Sequence, residues 1–225
     1  MTRLIVAIIG LMAATAGYAG TERILFVGNS ITLHGPKASI GWTNNWGMAA
    51  STQEKDYVHI LARAVATHTG TAPSVMIENI ADFERHYETY DLARLKKNMD
   101  FKASIVIVAI GENVPAIASE EAKTTFKASV LKLLTALKGS SNPTIIVRSS
   151  FWQNKTKDEI LQQACKEAGG VFADISGLSK DESHFARSER SYAHSGVAAH
   201  PGDKGMQAIA DALLAALKNA KALSK

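Results

Sequence analysis

The chain has one cysteine, Cys165, in 225 residues. A lone thiol excludes an intramolecular disulfide framework and any zinc site built on several thiolates. Basic runs are also missing: the 25 lysines and arginines are scattered among 21 acidic residues, for a net charge of +4. With no basic stripe, RNA-binding motif or zinc-finger spacing, no nucleic-acid partner is expected. The seven histidines form no tight H-x-x-x-H cluster, so no metal is expected. The dinucleotide pattern G-x-G-x-x-G does not occur, and no cofactor is expected. Past residue 20 no apolar run approaches the ~20 residues a spanning helix needs. What is present is a globular composition, 46% hydrophobic and 20% charged, without internal repeats or linkers. One domain of ordinary size is the simple reading.

Residues 1–20 stand apart. Arg3 precedes an apolar run from Leu4 to about Ala16, and Gly17-Tyr18-Ala19 follows as small–x–small. These are the three regions of a secretory signal peptide, with cleavage expected after Ala19 or Gly20. The domain is then 21–225, periplasmic or secreted, with no membrane partner once the leader is removed. An uncleaved anchor is the alternative, for which the run is short.

From Thr21 onward, strand and helix patterns alternate. Apolar runs at 24–27, 74–77, 103–110, 144–147 and 171–173 read as strands; 103–110 (ASIVIVAI) is continuous and β-branched, as a central parallel strand is. Helices are expected at 57–68, 90–98, 120–138, 157–168 and 203–223. In the third, Phe126, Val130, Leu133, Leu134 and Leu137 make one apolar stripe. The alternation predicts an α/β fold with about five parallel strands and helices on both faces, and functional groups at the strands' carboxyl ends. Segments 31–55 and 175–201 are too long for tight connections, which marks them as functional or mobile loops.

Three polar clusters follow strands or lead into the last helix. Gly28-Asn29-Ser30-Ile31-Thr32 comes straight after strand 1, where the Ser30 N–H is free to face an anion. It is not the G-x-S-x-G elbow, since Thr32 replaces the second glycine. Gly111-Glu112-Asn113 follows strand 3; the Asn113 amide can donate to a developing oxyanion or cap a helix. Glu112 reads as a surface or loop-bracing residue. His200-Pro201 precedes the last helix and can return to the sheet edge as a base for Ser30. Asp203 reads as that helix's N-cap.

Together the three clusters resemble the blocks of the SGNH/GDSL hydrolase family. Gly28-Asn29-Ser30-Ile31 looks like its G-D-S-L or G-N-S block. Gly111-Glu112-Asn113 looks like G-x-N-D with Val114 in place of the acid, and His200-Pro201 looks like the end of D-x-x-H-P. The resemblance implies a flavodoxin-like three-layer α/β/α sandwich and serine-dependent ester hydrolysis. It implies Ser30 as nucleophile, His200 as base, and Asn113 with the Ser30 N–H in the oxyanion hole. The family's second block supplies a glycine N–H; residues 78–84 here contain no glycine, so a backbone N–H of Ala81 or Asp82 is expected instead.

The fifth block departs further. Three residues before His200 stands Val197; aligning on Gly196-Val197 instead puts Ser195 at the acid's place, with two alanines inserted. Three readings stay open: a backbone carbonyl orients His200; a carboxylate from elsewhere does, among Asp82, Glu84, Glu112 and Asp174; or the protein is inactive. Trp42 and Trp46 either line a substrate cleft or pack the long loop onto the body. Arg148 reads as a salt-bridge partner more than an anion site, and His34 as an exposed loop residue. The expected partner is an ester, with acetylated carbohydrate as the leading candidate. The alternatives are a lipase or thioesterase for longer acyl chains and a carbohydrate-binding relative without catalysis.

Overall fold

The apolar runs of the sequence become strands that bury both faces. β1 (Arg23–Gly28), β2 (Ser74–Asn79), β3 (Ile105–Ala109), β4 (Thr144–Arg148) and β5 (Val171–Ala173) form one all-parallel sheet, ordered β2-β1-β3-β4-β5. The structure is a computed structural model, and it describes residues 21–223. The expected leader, 1–20, lies outside the described residues. Among the described residues the helices are α1 (Tyr57–Thr69), α2 (Ala81–Arg85), α3 (Lys96–Asp100), α4 (Glu120–Lys138), α5 (Lys155–Glu167), α6 (Ser195–Ala198) and α7 (Asp203–Asn219). None of them is long and apolar enough to cross a membrane.

Alternation along each strand feeds two separate cores. Ile24, Phe26, Ile105 and Ile107 pack with Val58, Leu61 and Val65 of α1 and with Ile209 and Leu213 of α7. Leu25, Val27, Val106 and Val108 face the other way, onto Phe126, Val130 and Leu133 of α4 and Leu161 of α5. Side chains buried this completely contribute about 1.5–3 kcal/mol each relative to exposure. The result is a three-layer α/β/α sandwich, as the strand–helix alternation predicts. β1 is flanked by β2 and β3, with Gly28 opposite both Asn79 and Ala109. The strand order reverses there, so the residues after Gly28 emerge into the crevice where ligands of open α/β sheets bind.

Helix ends moved where capping side chains decide them. α5 begins at Lys155 rather than residue 157, because the Asn154 side chain accepts the Lys157 N–H. The helix expected at 90–98 splits into a 3₁₀ turn over Leu92–Leu95, opened by the Asp91 side chain, and α3. α7 stops at Asn219, short of residue 223; Lys221 takes a φ of 52°, which ends a right-handed helix.

Asp203 is not the N-cap of α7, as expected; it is the first helical residue. The capping is done by Glu189, whose carboxylate accepts the N–H groups of Asp203 and Lys204, both at 2.8 Å. That frees the Asp203 carboxylate to accept from Ser51 N–H and Oγ, Lys55 Nζ and both Arg190 terminal nitrogens. Arg190 and Tyr192 also donate to the Ala49 carbonyl. The two long loops are therefore tied to each other.

Candidate active site

The turn after β1 is shaped by close approach. A Cβ at Gly28 would meet Thr32 Oγ1 at 2.0 Å and the Ala109 carbonyl at 2.9 Å, so only glycine fits. The need is space rather than an unusual backbone angle. Asn29 is fully buried, and its Oδ1 accepts the Ile31 N–H at 3.1 Å, an Asx turn around Ser30. The Ser30 carbonyl accepts from the Met48 N–H at 2.8 Å, while the Ser30 N–H has no partner among the described residues.

Beneath this turn lies a buried charge network that sequence reading did not assemble. Asn29 Nδ2 donates to Glu112 Oε2 at 2.6 Å and to Glu84 Oε1 at 3.3 Å. Glu112 also accepts Arg148 NH1 at 2.6 Å and the Phe151 N–H at 2.9 Å. Glu112 is a bracing residue, as expected, but a buried one, paired with the fully buried Arg148. Glu84 accepts the N–H groups of Gly111 (2.6 Å) and Asn113 (3.1 Å), and Asn113 Nδ2 (2.7 Å). Burial first, and the nearby Glu112 charge second, push the Glu84 carboxyl above its ordinary range. Between two carboxylates an aspartate at position 29 would add a third acid; the Asn29 amide donates to both.

The histidine arrives from the opposite loop. Its Nε2 lies 2.8 Å from Ser30 Oγ. Its Nδ1 lies 2.7 Å from the Gly196 carbonyl. Of the three readings left open by the sequence, the geometry matches the backbone carbonyl. α6 is a single turn, and the Gly196 carbonyl is one of those a helix end leaves without an intrahelical partner. The inserted Ala198-Ala199 let the turn finish, so that His200 curls back onto that carbonyl. A carbonyl only accepts, so Nδ1 carries the proton and Nε2 is the bare nitrogen facing the serine. Trp152 packs edge-on to the ring at 5.2 Å and donates to the Ala199 carbonyl. Burial pulls the His200 pKa down to about 4, with the Gly196 hydrogen bond opposing it.

The other expected residues scatter. No candidate carboxylate reaches the ring: Asp82 pairs with His86 and Arg94, Asp174 accepts from Ser149 and Ser176, and Glu84 and Glu112 sit in the network below. Val197 is buried, and Ser195 is exposed at the start of α6. The Ala81 N–H, expected in the oxyanion hole, instead donates to Asn79 Oδ1 at 2.9 Å. The next amide, Asp82 N–H, has no partner among the described residues. Asn113 lines the same cleft, of about 510 Å³, as Ser30 and His200. Its Oδ1 accepts Arg85 and one Nδ2 hydrogen is held by Glu84, leaving the other hydrogen to the cleft. Trp42 is not in the cleft: it is buried, edge-on to Trp46, and donates to the His34 carbonyl. His34, expected in solvent, is half-buried in the cleft wall.

No protein-family model matches the sequence, and no curated protein matches it. Solved structures do resemble it in three dimensions. A protein of Parabacteroides merdae assigned as a GDSL-like lipase superposes with TM-score 0.57 at 16% identity, over 88% of this chain and 97% of that one. The chain has the SGNH-hydrolase fold. The psychrotrophic esterase EstA of Pseudoalteromonas sp. shares the fold at TM-score 0.54 and 12% identity, over 89% of this chain and 98% of that one. A family two carbohydrate esterase of Clostridium thermocellum, in complex with cellohexaose, does so at TM-score 0.54 and 15% identity, over 90% and 65%. This chain matches the first two along nearly their whole length and the third along about two thirds.

Proposed function

We propose that the protein is a serine esterase working with a Ser–His dyad. The observation that carries this is the 2.8 Å contact of Ser30 Oγ with His200 Nε2 at the switch point of the parallel sheet. As Ser30 Oγ bonds to the ester carbonyl carbon, its proton passes to Nε2. The tetrahedral oxyanion faces the Ser30 N–H, Asn113 Nδ2 and the Asp82 N–H. Collapse expels the alcohol, which takes the proton from His200 and leaves an acyl-enzyme. Water then attacks the acyl carbon, giving its proton to His200; collapse breaks the bond to Ser30 Oγ, which takes that proton back as the acid leaves. The Gly196 carbonyl supplies the tautomer a carboxylate would supply, without its negative charge to stabilise the imidazolium.

The substrate we favour is a short O-acyl ester, acetyl first, on carbohydrate. Support comes from the fold shared with carbohydrate esterases and from a cleft in which Ile40, Met48 and Val197 stand among polar side chains. Residues 1–20 are proposed to direct export. Hydrolysis of p-nitrophenyl acetate tests the chemistry: Ser30→Ala and His200→Ala should each lower kcat by on the order of 1,000-fold or more. Turnover surviving in Ser30→Ala would falsify the nucleophile assignment. Preference for the octanoate ester over the acetate would favour the longer-chain alternative.

A further inference from the structure

The cleft carries charge that breaking a neutral ester does not require. Lys37 and Arg85 both line it, one from the long loop after Ser30 and the other from the end of α2. Neither has a carboxylate at ion-pair distance among the described residues. The acid in the same wall, Asp82, is already neutralised from outside. His86 holds one oxygen at 2.9 Å and Arg94 the other at 2.5 Å, and these contacts keep its carboxyl below the ordinary range. The fixed charge facing Ser30 is therefore net positive.

The fold fixes the backbone that carries Lys37 and one end of the Arg85 fork. Lys37 and Trp42 exchange backbone hydrogen bonds, Lys37 N–H to the Trp42 carbonyl at 2.6 Å and Trp42 N–H back at 3.3 Å. Trp42 is buried against Trp46, so the loop tryptophans act by seating the turn that presents Lys37. Arg85 ends α2 and donates from one terminal nitrogen to Asn113 Oδ1 at 3.1 Å. The rest of its donor fork is uncommitted, next to the expected oxyanion position. An arginine fork matches a carboxylate in geometry as well as charge.

We propose that the site takes esters that carry a second, anionic group, received by Arg85 and Lys37. This rests on the esterase reading and narrows its substrate class. The shared chemistry is a carboxylate near the ester, from an acidic sugar on the alcohol side or a dicarboxylic half-ester on the acyl side.

The test compares kcat/KM within two matched pairs: O-acetyl galacturonate against O-acetyl galactose, and the mono-p-nitrophenyl ester of glutarate against p-nitrophenyl butyrate. The carboxylated member of one pair should be favoured about fivefold or more, the upper range for an exposed charge contact. The pair showing it identifies the side. The preference should reside in KM, shrink with added salt, and fall toward unity in the double variant Lys37→Gln/Arg85→Gln. If both pairs show no preference, or one indifferent to salt and to the double variant, while neutral esters still turn over through Ser30, the anion proposal is overturned and the esterase reading stands. If no ester turns over, the esterase reading fails. The anion claim is then decided by Trp152 fluorescence, since Trp152 packs on His200. Galacturonate or glutarate binding that is lost in the double variant supports it, and no binding overturns it.

Discussion

The two halves of the proposed dyad are held by opposite means. Ser30 stands on a floor of buried charge: Asn29 between Glu84 and Glu112, with Arg148 beneath. His200 stands on one neutral carbonyl at the end of a single helical turn, steadied by the edge of Trp152. The contrast shows that orienting an imidazole needs an acceptor in the right place, whereas holding a sharp turn at a crowded strand end takes many buried bonds. It also shows where each half is vulnerable. A charge network fails when one member is removed; a carbonyl cannot be removed by any side-chain substitution.

The strongest way to break the serine half is Arg148→Met. Glu112 loses its buried guanidinium partner, and unfolding in urea should show a loss of about 3–5 kcal/mol. A loss below about 1 kcal/mol would mean that the floor does not depend on the charge pair.

The histidine half is tested by pH. With its pKa near 4, His200 stays a free base through the mildly acidic range. The acid limb of kcat/KM should therefore fall near pH 4 rather than near the ordinary imidazole value of about 6.5. The folded pKa lies below the unfolded one. Between about pH 4 and 6.5 the unfolded chain binds a proton that the folded chain refuses, so this group's contribution to stability declines as pH falls through that window. An acid limb at 6.5 would show the ring to be hydrated or to face a carboxylate after all.

A smaller effect is expected where the two halves are tied together. Asp203→Ala removes the acceptor shared by Ser51, Lys55 and Arg190. Stability should drop by about 2 kcal/mol, and kcat should fall severalfold as the His200 loop loosens. Unchanged kcat would mean that the loops keep their register without the tie. The smallest effect is at Trp42→Phe, which loses the indole bond to the His34 carbonyl and keeps the ring. About 1 kcal/mol is expected from thermal unfolding.

The strands were legible because a parallel strand buried on both faces must be apolar without interruption, and 103–110 could be little else. Their alternation with helices carried the sandwich and placed Ser30, Asn113 and His200 at one rim. The roles of Glu84 and Asp203, and the burial of Glu112, were not legible in that way. Asn29 and Glu84 are 55 residues apart, Ser51 and Asp203 152 apart, and nothing local distinguishes a buried acid from a capping or surface one. One signal was available for Glu84, in a stretch whose glycine was missing and whose neighbours Ile80 and Phe83 are apolar.

The amino-acid order by itself determined the layers, the strand ends and the residue types gathered there, because period, length and turn chemistry are local properties of the chain. The acceptor behind His200 and the donors of the proposed oxyanion hole were decided by tertiary structure alone. Every residue carries the same carbonyl and nearly every one the same N–H, so which of them faces the site depends on where folding leaves it without a partner.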